Sequence, residues 1–172
     1  MRIAVCDDQD VCIDDIISHI NRYEEKIGKD FYIDRYNDPK KLLDSLKQVN
    51  YNLVYLDIEM EDENGIDIAE KIKEIKPNCM VIFVTAYMKY FHDSFHVSAF
   101  QFITKPIQPD LFDVELERAY KAFKALNKSI VFPTTHGNLV LHFHDIVYIE
   151  TSYREYKVHC PDGYHYGSVK AS

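Results

Sequence analysis

Five short strand-like runs alternate with stretches of helical apolar spacing, and this alternation constrains the chain more than any other feature. The runs are RIAVC (2–6), FYIDRY (31–36), LVYL (53–56), CMVIFVTA (79–86) and AFQFITK (99–105). Between Val11 and Ile27, apolar residues recur at Ile13, Ile16, Ile17, Ile20 and Tyr23, one stripe of a helix. Asp38-Pro39 places a capping side chain before a proline at the first helical position, and Leu42, Leu43 and Leu46 carry that helix's apolar face. A third helix is expected from Ile66 to about Lys76, stopped by Pro77, and a short one over Lys89–His96. Leu111, Val114, Leu116, Ala119, Phe123 and Leu126 mark a long amphipathic helix over residues 110–126. Strand and helix alternating five times predicts an α/β fold, a five-stranded doubly wound parallel sheet of flavodoxin-like type.

After residue 126 the texture changes. SIVFPT, LVLHF, DIVYIET, EYKVHC and YHYGSV are short strand-like runs separated by His-Gly-Asn, Ser-Tyr-Arg and Pro-Asp-Gly. Closely spaced strands with such turns predict an all-β segment over 127–172, following a first domain over 1–126.

Charge follows the same division. Asp and Glu outnumber Lys and Arg by 28 to 20, yet from Asn127 onward the two classes balance at four each. The acidic excess therefore lies in the first domain and argues against a generally basic nucleic-acid binder. The four cysteines show no C-x-x-C pair or metal-ligand spacing. No apolar stretch approaches the length of a membrane helix, so a reducing cytoplasm is the expected compartment.

LVYL reads as a strand buried on both faces, and it is followed at once by Asp57. A carboxylate there costs several kcal/mol, on the order of the usual desolvation penalty, unless something compensates it. In a doubly wound sheet, Asp7 and Asp8 lie just past the first strand, Thr85 ends the fourth and Lys105 ends the fifth. All converge with Asp57 on the carboxyl edge, where open α/β sheets bind ligands. Three carboxylates held together repel, and Mg²⁺ is the hard cation that relieves this with few protein oxygens. An ammonium and a hydroxyl facing the same point suit phosphoryl oxygens. Asp57 then reads as a nucleophile that forms an aspartyl phosphate.

VCDD, LVYLDIEM…NG, FVTAY and FITKP, in this order over residues 1 to about 126, resemble the signature of bacterial two-component response-regulator receiver domains. The resemblance implies that Asp57 is the phospho-acceptor. It implies Asp8 as a direct metal ligand, Asp7 assisting through water, and the Glu59 backbone carbonyl completing the shell. Thr85 and Lys105 would bind phosphoryl oxygens, Phe102 would be the switch aromatic, and Lys105-Pro106 a cis peptide. A histidine kinase would supply the phosphoryl group, and the phosphorylated form would homodimerise. The only catalysis implied is the chain's own phosphorylation and dephosphorylation. One departure is Glu61, where the family often has proline.

Residues 129–172 resemble the opening of a LytTR-type DNA-binding domain, through LVLHFHDIVYIETSYREYKVHCPDG. That implies promoter DNA as a partner and transcriptional control as the output. Such a domain usually runs to about a hundred residues, so 127–172 is expected to be its incomplete N-terminal part. Phosphate contacts dominate DNA affinity, and Lys128, Arg154, Lys157 and Lys170 are the cations present. The alternative reading is a receiver that signals by protein contact without DNA. An aspartyl-phosphate phosphatase is disfavoured: its D-x-D-x-[TV] pattern would fall on DQDVC (8–12), with Cys12 where Thr or Val belongs.

Overall fold

The computed structural model describes residues 1–60, 63–90, 97–134, 137–152, 155–161 and 163–168. Two compact units divide the chain, Met1–Tyr120 and Lys121–Ser172. In the first, a five-stranded parallel sheet is built from β1 (Arg2–Cys6), β2 (Tyr32–Tyr36), β3 (Leu53–Leu56), β4 (Met80–Thr85) and β5 (Gln101–Thr104). The spatial order is β2-β1-β3-β4-β5, and helices α1 (Asp10–Ile27), α2 (Pro39–Leu46) and α3 (Gly65–Ile75) connect successive strands. Helix α4 (Pro109–Leu126) follows β5.

Local chemistry sets the helix limits. The Asp38 side chain accepts the Lys40 amide N–H at 2.8 Å and Pro39 opens α2. Asn64 does the same for α3 through the Ile66 N–H at 2.9 Å. Gly28, at φ 61°, ends α1 in the left-handed conformation that glycine adopts without a Cβ penalty. Beneath the helices, β3 and β4 are buried along their whole length, which explains why their sequences run apolar rather than alternating. One helix layer packs Leu42, Leu46, Ile68 and Ile72 onto Ala4, Val54, Leu56 and Phe83. Elsewhere in this unit Tyr55 of β3 stacks on Phe112 of α4 at 5.1 Å, both wholly buried.

The second unit holds a hairpin, β6 (Ser129–Thr134) with β7 (Gly137–His142), and a three-stranded antiparallel sheet. The latter joins β8 (Tyr148–Ser152), β9 (Glu155–Cys160) and β10 (Gly163–Ser168) in the order β10-β9-β8. Phe132, Tyr156, Val158 and Cys160 form its small core, and the Tyr156 hydroxyl donates to the Pro133 carbonyl.

The run DIVYIET is not a strand from its first residue. A 3₁₀ turn over Phe143–Asp145 intervenes, closed by the Ile146 N–H to the Phe143 carbonyl, and β8 begins at Tyr148. Apolar spacing alone does not separate such a turn from extended chain. The expected helix over Lys89–His96 begins in a 3₁₀ turn at Met88–Tyr90, and its remainder lies outside the described residues. So do Glu61, Arg154 and Lys170. Among the described residues, no helix is long and apolar enough to cross a membrane, and the four cysteines are unbridged.

Candidate functional site

Backbone hydrogen bonds stitch together the carboxyl edge of the parallel sheet. The Asp7 N–H donates to the Tyr36 carbonyl at 3.1 Å, the Asp57 N–H to Cys6 at 3.0 Å, and the Lys105 N–H to Thr85 at 2.9 Å. Each residue therefore continues its strand by one ladder step, and its side chain is aimed by the sheet rather than by a free loop. The Lys105-Pro106 peptide is cis.

On this edge the Lys105 ammonium bridges two carboxylates, 2.7 Å from Asp7 Oδ2 and 2.8 Å from Asp57 Oδ2. The remaining oxygens are also held. Asp7 Oδ1 accepts the Gln9 N–H at 3.0 Å, and Asp57 Oδ1 accepts the Ile58 N–H at 2.6 Å. Asp8 completes a cluster in which one carboxylate oxygen from each of Asp7, Asp8 and Asp57 lies within 4.8 Å of the others. Asp7 and Asp57 are buried and Asp8 is half-buried.

Burial opposes charging Lys105, but its hydrogen bonds to Asp57 and Asp7 outweigh that and raise its pKa above the ordinary lysine value. For Asp7, burial pushes the carboxyl upward, against the pull of Lys105 and the Gln9 N–H. One ammonium is thus shared by two buried carboxylates, with a third carboxylate beside them. The acceptor-only, all-oxygen donor set fits a hard divalent cation, which would add positive charge there.

Thr85 closes β4, wholly buried, with its Oγ1 accepting the Tyr87 N–H at 3.4 Å. Phe102 lies on β5, half-buried and tilted against Phe83 at 6.5 Å between ring centroids. The Glu59 side chain is held by Lys89 at 2.8 Å and by the Tyr90 hydroxyl at 3.0 Å.

Three neighbours escape sequence reasoning. Lys89 and Tyr90 carry no periodicity that would tie them to Glu59, which stands 31 positions before Tyr90. Gly65 was visible only as part of the Asn-Gly pair. Its N–H donates to the Ile58 carbonyl at 2.8 Å, and it lets α3 start against the backbone of Asp57 and Ile58.

Residues 3–117 match the family model for the response regulator receiver domain. The chain is 28% identical over 132 residues to the sensory transduction protein LytT of Bacillus subtilis, covering 76% of this chain and 51% of that protein. It is 31% identical over 130 residues to the sensory transduction protein LytR of Staphylococcus haemolyticus, with 76% and 46% covered. The chain thus spans about half the length of the curated relatives it matches. A CheY-like receiver domain from Methanospirillum hungatei superposes with TM-score 0.60 at 25% identity, over 72% of this chain and 96% of that one. The response regulatory domain of mrkE from Klebsiella pneumoniae shares the fold, with TM-score 0.65 at 21% identity, over 72% and 98%.

Proposed function

The chain belongs to the response regulator receiver domain family, and on that premise we propose that it is a phosphorylation-dependent response regulator with Asp57 as acceptor. The observation that carries this reading is the Lys105 ammonium shared between Asp57 and Asp7, with Asp8 beside them. A histidine kinase is the proposed donor. The Asp57 carboxylate attacks phosphorus in line, the phosphorus–nitrogen bond of a phosphohistidine breaks, and the leaving imidazole is protonated from solvent.

Each residue of the chain has a part in that step. Asp7 holds Lys105 in place, and Lys105 meets the negative charge that develops on the transferring oxygens. The Ile58 N–H orients Asp57 by fixing one of its oxygens, while Thr85 is proposed to donate its hydroxyl to a phosphoryl oxygen. Asp7, Asp8, Asp57 and the Glu59 carbonyl would hold Mg²⁺, which supplies charge neutralisation at the phosphoryl group when bound. Drawing Thr85 toward the phosphoryl would vacate space that Phe102 fills. That would bias an existing two-state equilibrium and remodel the surface around β5 and the helix expected before it toward homodimerisation.

The output is proposed to be transcriptional, exerted in the cytoplasm through promoter DNA. Its support is the curated relatives, which include a protein named transcriptional regulatory protein LytR in Staphylococcus aureus, together with the β-rich second unit. Salt-dependent binding of the full-length gene product to its promoter duplex tests that part; binding to protein partners alone would favour the contact-only reading. For the acceptor, intact mass is measured after adding a small phosphodonor with Mg²⁺. One phosphoryl adduct is expected on the wild type and none on Asp57→Asn. An adduct that survives in the mutant would overturn the assignment.

A further inference from the structure

The loop after β3 is strongly acidic, and its described acids are matched by lysines. Glu63 lies 3.6 Å from Lys71, and Glu59 lies 2.8 Å from Lys89. The second is a surface ion pair, its lysine 62% exposed, with one added feature. The Lys89 ammonium lies over two rings at once, 4.6 Å from the Tyr90 centroid and 5.1 Å from the Tyr87 centroid. Two aromatic faces and a carboxylate together restrict a side chain that would otherwise sample many rotamers. The Tyr90 hydroxyl donates to the same Glu59 oxygen at 3.0 Å, so the lysine and a ring that cradles it converge on one acceptor.

Position gives this cluster its consequence. Glu59 stands two residues beyond Asp57, and Lys89 stands four beyond Thr85. The pair therefore joins the two chain segments that leave the proposed phosphoryl site. A small phosphodonor or phosphohistidine arrives carrying negative charge, at an edge that already holds Asp7, Asp8 and Asp57. An uncompensated fourth carboxylate at the rim would repel it. We infer that Lys89 is a positioning residue for phosphoryl transfer: it neutralises Glu59 and holds it at the β4 exit, so that the anionic donor meets no added negative charge at the rim. This rests on the acceptor role of Asp57 proposed above.

The two contributions separate by substitution. In Lys89→Met the Tyr90 hydroxyl can still hold the Glu59 carboxylate, so the change removes charge more than geometry. One unit charge at the solvent-exposed rim slows uptake by about fivefold at low ionic strength. Salt screens the effect, because the Debye length falls to about 3 Å at 1 M. Arginine keeps the charge and stacks on aromatic faces as well as lysine does.

The experiment follows adduct formation by intact mass in the whole chain, with acetyl phosphate and Mg²⁺, for wild type, Lys89→Met and Lys89→Arg at low and high salt. Circular dichroism checks the fold of each. The expected result is a Lys89→Met rate about fivefold lower at low salt, converging on wild type at high salt, with Lys89→Arg unchanged at both. A Lys89→Met rate equal to wild type, or lowered equally at both salts, would overturn the inference while leaving Asp57 as acceptor. Absence of a Mg²⁺-dependent adduct on the wild type would overturn the acceptor reading, and this inference with it.

Discussion

Gly65 opens α3 directly against the strand end that carries Asp57, and replacing it with alanine tests how tightly that junction is built. A Cβ placed on Gly65 would stand 2.7 Å from Ile58 Cα and closer still to the Asp57 carbonyl oxygen. Carbon atoms in contact sit comfortably at about 3.5–4.0 Å, so the loop must open by roughly an ångström. The obstructing atoms are backbone and cannot rotate aside. Opposing this, alanine is a better helix former than glycine by up to about 1 kcal/mol. Overpacking of rigid neighbours costs about 1–3 kcal/mol, which leaves a net destabilisation of up to about 2 kcal/mol. At about 2–4 °C per kcal/mol for a chain of this size, the melting temperature should fall, by up to about 8 °C. Thermal melts followed by circular dichroism measure this. Phosphoryl uptake should fall as well, because the displaced atoms include the Asp57 carbonyl. A Gly65→Ala protein that melts at or above the wild-type temperature would refute the close-packing argument.

Three further outcomes are expected. The Tyr55 hydroxyl is buried with no hydrogen-bond partner among the described residues, so Tyr55→Phe should raise stability by about 1 kcal/mol; a lower urea midpoint than wild type would show that the hydroxyl is satisfied. Asn64→Ala removes the α3 cap and should cost about 1 kcal/mol, read as a lower midpoint at unchanged slope. His19 packs on Phe112 at 5.1 Å, facing Asp15, Arg22 and Asp113, and burial lowers its pKa below the ordinary value near 6.5. The folded state then binds fewer protons than the unfolded chain, so this stability is present above about pH 6.5 and is lost as pH falls below it. Wild type should lose more stability than His19→Gln between neutral pH and pH 5.5, and equal losses would remove His19 as the cause.

The parallel sheet was legible in the residues because buried parallel strands and amphipathic helices have distinct apolar periods, 2–6, 53–56 and 79–86 against 11–27 and 110–126. The same logic located Asp7, Asp8, Asp57, Thr85 and Lys105 at strand ends, since a charged residue after an all-apolar run marks where a buried strand emerges. It was less informative in the second unit, where the turn at Phe143–Asp145 falls between two strand-like runs and interrupts no apolar period.

What the sequence by itself determined is the list of groups on the carboxyl edge, because strand order along the chain and right-handed crossovers leave few ways to arrange them. Only the tertiary structure decided how those groups share their hydrogen bonds. Lys105 divides its ammonium between Asp7 and Asp57, Glu59 is taken by Lys89 and Tyr90, and Gly65 admits the helix against the Asp57 carbonyl. Those pairings join residues as many as 98 positions apart. They depend on ångström-scale distances between strand ends and loops, and no periodicity in the chain encodes them.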